Sequence, residues 1–113
     1  MIALTHFRDG SPDFAGRAQA ALAALAARPG YLRGTLGRST DDPKAWVLLT
    51  EWENVGSYRR ALGAYEVKLH ATPLLAAAID LPGGFEALLD VAPGGDTVLA
   101  PSDLEPGEHA RDA

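Results

Sequence analysis

The chain opens on an alternation. Ile2, Leu4 and His6 fall on one side of residues 2–8, and Ala3, Thr5 and Phe7 on the other. A period of two predicts a strand. Asp9-Gly10-Ser11-Pro12-Asp13 is turn chemistry, with Ser11 as helix N-cap and Pro12 as first helical residue. From Pro12 to Ala27 the sequence is rich in alanine and leucine, which predicts a helix. Phe14, Ala18, Ala21, Leu22 and Leu25 form its apolar stripe, and Pro29-Gly30 stops it.

Tyr31 to Ser39 predicts a second strand, with Gly34 and Gly37 marking a bulge or a close approach by another group. Thr40-Asp41-Asp42-Pro43 is a hairpin turn. Ala45 to Glu53 is the strongest strand, with Trp46, Leu48, Thr50 and Trp52 on one face and Val47, Leu49 and Glu51 on the other. Asn54 caps a helix through Leu62, where Tyr58, Ala61, Leu62 and Tyr65 keep helical spacing, and the pattern runs on to His70. Thr72-Pro73 starts another helical turn as cap and first position, with Leu74, Leu75 and Ile79 on its apolar side. Pro82-Gly83-Gly84 breaks it. Phe85, Ala87, Leu89 and Val91 alternate with Glu86 and Asp90, which predicts the fourth strand.

Strand, helix, strand, strand, helix, strand is the split β-α-β, ferredoxin-like order. The expected fold is therefore α+β: an antiparallel four-stranded sheet with helices on one face. Both faces of the strands carry apolar residues, so a second copy is expected to cover the bare face, two sheets closing a barrel across a homodimer. Pro93-Gly94-Gly95 closes the domain, residues 1–92. An acidic, Pro/Gly-rich tail occupies 93–113, in which Val98 and Leu99 can add a short strand.

Composition narrows the function. The 113 residues are 47% hydrophobic and 22% charged, which suits one globular domain. The absence of cysteine excludes disulfides, thiol nucleophiles and thiolate metal sites. Of the formal net charge of −5, the tail holds most of the excess acid: Asp96, Asp103, Glu105, Glu108 and Asp112 against Arg111. No basic stripe suggests nucleic acid, no apolar run suggests a membrane span, and no leader pattern is visible; a cytoplasmic location is expected.

Residues 28–68 then carry a resemblance. The Pro-Gly-aromatic after the first helix, the Asp-Asp-Pro hairpin, and the strand ending Glu51-Trp52-Glu53 followed by Tyr58-Arg59-Arg60 are similar to the antibiotic biosynthesis monooxygenase family. Its most specific element is Trp52 with an aromatic six residues on, and it extends more weakly over residues 2–92. The resemblance implies dimeric α+β barrels and several activities. One branch oxidises phenols and anthrones to quinones with molecular oxygen and neither metal nor flavin; another degrades haem.

By that resemblance Trp52 matches a substrate-contacting tryptophan and Tyr58 a tyrosine set against a substrate oxygen. Leu48 and Thr72 stand where the quinone-forming branch has an asparagine and an arginine, which makes a substrate pocket more apolar. Each has a plainer reading: Trp52 as a core anchor, Tyr58 as a ring packed on the sheet. His6, on an apolar strand face, and His70, on the second helical segment, are candidate general bases, since imidazole titrates near neutral pH. His70 lies one position short of a haem-ligating histidine, and the asparagine and second tryptophan of the haem-degrading branch are missing. Haem is thus a minor alternative to no cofactor. A metal set from His6, His70 and Glu51 has no favouring spacing, and Arg59-Arg60 reads most simply as a solvated helix face, with attraction of an acidic ligand as the lesser alternative. The expected function is cofactor-independent oxidation of a flat aromatic substrate by molecular oxygen, with Tyr58, His70 and His6 as catalytic candidates and Trp52, Leu48 and Thr72 contacting substrate. The alternative is a non-enzymatic dimer that binds a small apolar ligand.

Overall fold

The computed structural model describes residues 1–100. Its main strands are β1 (Ile2–Arg8), β2 (Tyr31–Arg38), β3 (Ala45–Trp52) and the short β4 (Gly84–Phe85), and they form one sheet in the order β2-β3-β1-β4. β3 pairs antiparallel with both β1 and β2. α1 (Phe14–Ala26) crosses from β1 to β2, so these two run parallel with β3 between them. This is the expected ferredoxin-like arrangement.

Alternation decides which face meets the helices. Ala3, Phe7, Leu48, Thr50 and Trp52 are buried against Phe14, Ala18, Ala21 and Leu25 of α1 and Val67, Ala71 and Leu74 beyond. Phe14 packs on Phe7 and on Trp46, with ring centroids 5.3 and 5.0 Å away. The opposite face carries Ile2, Leu4, His6, Val47 and Leu49, all half-buried.

Trp52 is the largest fully buried side chain among the described residues, 1% exposed. Its indole N–H donates to the Thr50 hydroxyl, two residues back on the same strand face, at 2.8 Å. Tyr31 meets the indole edge-on at 5.3 Å and Tyr58 packs tilted at 5.6 Å. Its backbone N–H donates to the Met1 carbonyl at 2.9 Å, and its carbonyl accepts from the Met1 amine at 3.0 Å.

Two glycines are required by their surroundings. Gly30 turns α1 into β2 at φ +88°, and a Cβ there would collide with the Ser57 side chain. At Gly34 a Cβ would meet the Tyr31 hydroxyl and Leu22. That is the close approach the strand glycines implied, beside a register shift between Tyr31 and Arg33.

Several expectations shift. α1 starts at Phe14 rather than Pro12 because Ser11 does not cap it: both the Ser11 N–H and hydroxyl bind the Asp9 carboxylate. Asn54 does cap α2 (Val55–Leu62), accepting from the Ser57 N–H at 2.8 Å. α3 (Tyr65–His70) follows. α4 (Thr72–Leu75) has Ala71, not Thr72, at its cap. The fourth strand divides. β4 (Gly84–Phe85) pairs only with Ala3 and Ile2, because β1 begins at Ile2 and offers nothing beyond Phe85. The chain leaves the sheet, and β5 (Leu89–Val91) instead pairs with β6 (Thr97–Leu99), the short strand expected at Val98 and Leu99. Gly94 and Gly95 turn this hairpin at positive φ, so Pro93-Gly94-Gly95 lies in the turn between β5 and β6. His109 and the tail acids from Asp103 onward lie outside the described residues. No helix among the described residues is long and apolar enough to cross a membrane.

Thr50→Val leaves the buried indole N–H without a partner and is expected to cost about 1–3 kcal/mol. Thr50→Ser should retain most of the stability. Urea denaturation of the three proteins checks this, and equal midpoints would contradict it.

Candidate functional site

α2 presents two faces. Ser57 and Ala61 are buried towards the sheet. Val55, Tyr58, Arg59 and Leu62, at spacings of three, one and three, line a cleft of about 690 Å³. Met1 and Phe85 close it with apolar surface, Glu53 and Asn54 extend it at the end of β3, and Glu86, Ala87 and Ala100 bring in the root of the hairpin. The lining combines apolar side chains with two carboxylates, one amide, one guanidinium and one phenol.

Tyr58 is the polar group best placed for chemistry. Its ring rests on Trp52, so the strand end fixes the helix side chain. No described residue hydrogen-bonds its hydroxyl. Burial pushes its pKa above the ordinary tyrosine value of 10.0. At neutral pH it is therefore a neutral O–H donor, suited to an oxyanion or a peroxide and not to abstracting a proton.

The other residues singled out from sequence are distributed. Trp52 lies behind the Tyr58 ring and is not part of the lining; its single donor is used by Thr50. Leu48 is buried in the core on the same strand face. His6 lies on the face of β1 away from the helices and lines a smaller hollow of about 240 Å³ with Arg38, Ser39 and Val47. His70 is exposed at the end of α3, 3.3 Å from the Glu66 carboxylate one helical turn back. Thr72 is exposed, its hydroxyl 3.5 Å from the Val67 carbonyl. The structure thus brings Trp52 and Tyr58 together, while the two histidines are outside the cleft and on opposite sides of the sheet. Among the described residues no group of three or more His, Asp or Glu could hold a metal ion.

Sequence reasoning missed Arg59, Val55, Phe85 and Met1 as lining residues. The stripe Val55, Tyr58, Arg59, Leu62 has the i, i+3, i+4, i+7 spacing of a helix face and was available as a signal. It overlaps the stripe through Ala61 and Tyr65, and only the packing separates the core face from the open one.

Tyr31 is also pushed above 10.0 by burial. In the unfolded chain both phenols ionise near the ordinary value, whereas the folded protein keeps their protons to higher pH. The contribution of these two phenols to stability should therefore be level below about pH 10 and fall above it as the unfolded state loses protons first. Tyr58→Phe should reduce that alkaline fall. Denaturation midpoints against pH, with tyrosinate absorbance alongside, test this, and an unchanged slope in the variant would contradict it.

Comparison with known proteins agrees with this fold. Residues 1–71 match the family model for antibiotic biosynthesis monooxygenase. A deoxynogalonate monooxygenase from Streptomyces nogalater is 36% identical over 75 residues, 66% of this chain. The match spans 64% of that relative, less than two thirds of its length. Among solved structures, SnoaB, a cofactor-independent oxygenase from Streptomyces nogalater, superposes with a TM-score of 0.63 at 23% identity, covering 93% of this chain and 94% of its own. A conserved protein from Methanosarcina mazei Go1 superposes at 0.59 with 15% identity, covering 74% of this chain and 84% of its own. At these identities the structural likenesses speak for the fold, and the family match speaks for descent: the chain belongs to the antibiotic biosynthesis monooxygenase family.

Proposed function

We propose that the protein is a cofactor-independent monooxygenase that oxidises a flat, phenol- or anthrone-like substrate with molecular oxygen, bound in the cleft along α2. The observation that carries the reading is Tyr58: a protonated phenol, held by the Trp52 ring, without a hydrogen-bond partner among the described residues, in an apolar cleft. Family membership supports it, as do a relative named a deoxynogalonate monooxygenase and a fold neighbour described as a cofactor-independent oxygenase.

In this chemistry the substrate supplies the electrons. Loss of a proton gives an electron-rich anion, which passes one electron to oxygen to form a substrate radical and superoxide. The two recombine at carbon to a peroxide, which takes up a proton. Loss of water then converts the CH₂ carbon to a carbonyl, so one oxygen atom enters the product and the other leaves as water. Tyr58 donates its hydrogen bond to the oxygen that bears the developing charge. Met1, Val55, Leu62 and Phe85 hold the ring and exclude water. Trp52 acts here as a positioning residue behind Tyr58.

The ligand-binding alternative also has an observation in its favour. The Trp52 donor is taken and His6 and His70 lie outside the cleft, so among the described residues few reactive groups face a ligand. Either reading includes a homodimer, for which the half-buried Ile2, Leu4, Val47 and Leu49 are the covered surface.

Oxygen uptake by metal-stripped, flavin-free protein with anthrones and dihydroxynaphthalenes should exceed the uncatalysed rate. Tyr58→Phe should reduce it about 10- to 100-fold, the scale of losing one oxyanion donor. No uptake across the panel, with ligand binding retained, would favour the alternative. Leu49→Lys should convert a dimer to monomers by light scattering; an unchanged mass would place the contact elsewhere.

A further inference from the structure

Arg59 differs from most arginines of the described residues. Arg8 pairs with Asp42, Arg17 with Asp9 and Asp13, and Arg33 with Glu51. Arg38 lies over the Trp46 ring, and Arg60 donates to the Ser57 hydroxyl. Arg59 has no such engagement with a described residue, yet it lines the cleft one position after Tyr58. A guanidinium and a phenolic O–H on one helix face are two adjacent donors without acceptors, and they suit an anionic oxygen. His6 and His70 lie outside the cleft, so among the described residues no imidazole lines it to take a substrate proton.

We propose that Arg59 receives the ionised oxygen of the substrate, so that the cleft selects a flat phenol as its phenolate and favours release of the phenolic proton to solvent. The substrate class rests on the oxygenase reading above. Arg59 determines specificity: it makes the anion that oxygen requires without an imidazole base. Glu53 and Glu86 share the cleft and act in the opposite direction. The phenolate is accordingly held on the α2 side by Arg59 and Tyr58, with the ring directed towards Phe85.

A dye already at the quinone level tests this without turnover. 1,2-Dihydroxyanthraquinone changes colour on ionisation, and its bound form can be titrated by absorbance with the full chain. Its apparent pKa should fall on binding by about one unit, a roughly tenfold preference for the anion, as expected for a nearby opposite charge. Arg59→Gln should abolish the fall, Arg59→Lys should keep part of it, Glu53→Gln should enlarge it, and Arg60→Gln should leave it unchanged. Circular dichroism confirms that each variant is folded. A wild-type pKa at or above that of free dye, an equal fall in Arg59→Gln, or failure to bind the dye would each overturn the proposal. Because the dye is not oxidised, a shifted pKa without oxygen uptake removes the oxygenase reading alone. Uptake without a shift removes the role of Arg59 alone.

Discussion

A buried indole with its one donor satisfied holds this protein together. Trp52 is large enough to close the end of the core and polar enough to be costly there unpaired. Thr50 resolves that cost from the same strand, two residues back, where the pleat brings both side chains to one face. Around this pair Met1, just before β1, is tied by two bonds to the Trp52 backbone, the start of β2 by the Tyr31 ring, and α2 by the Tyr58 ring. Three segments distant in sequence therefore meet at one residue.

The cleft follows from that arrangement. α2 lays Ser57 and Ala61 on the sheet, and the Gly30 turn lets it approach closely, since a side chain at Gly30 would collide with Ser57. Its neighbouring face is left over, and β4 supplies the opposing wall only because it pairs with the first residues of β1. One short strand pairing thus both completes the main sheet and forms a wall of the cleft. The lining has separate origins: α2 and β4 bring most of its apolar side chains, and the β3–α2 junction and the root of the hairpin bring its carboxylates.

Much of the fold was legible along the chain. Alternation in residues 2–8 and 45–53, the alanine-rich helix and the Asn54 cap are local signals, and they set the elements that carry them. The extent of the fourth strand was not legible, because it depends on how far β1 reaches rather than on residues 85–91 themselves. Of the candidate site, the pairing of Trp52 with Tyr58 was legible, and the two rings do touch. That the indole is sealed behind Tyr58 depends on which strand face the helices cover, and alternation alone treats the His6 face and the Phe7 face alike. From sequence Arg59 reads first as a solvated charge and only second as a site for an acidic ligand, because a helix stripe carries no mark of whether it faces core, cleft or water.

The two tryptophans give the molecule its own optical gauge. Trp52 lies one ring away from the cleft, in contact with Tyr58, whereas Trp46 sits towards the other end of β3, with Phe14 on it and Arg38 above it. A ligand that moves the Tyr58 ring must alter the surroundings of one emitter and leave the other as an internal standard. Occupancy of the cleft is thus written into the fluorescence of the unlabelled chain, and Trp46→Phe would leave that signal to a single source.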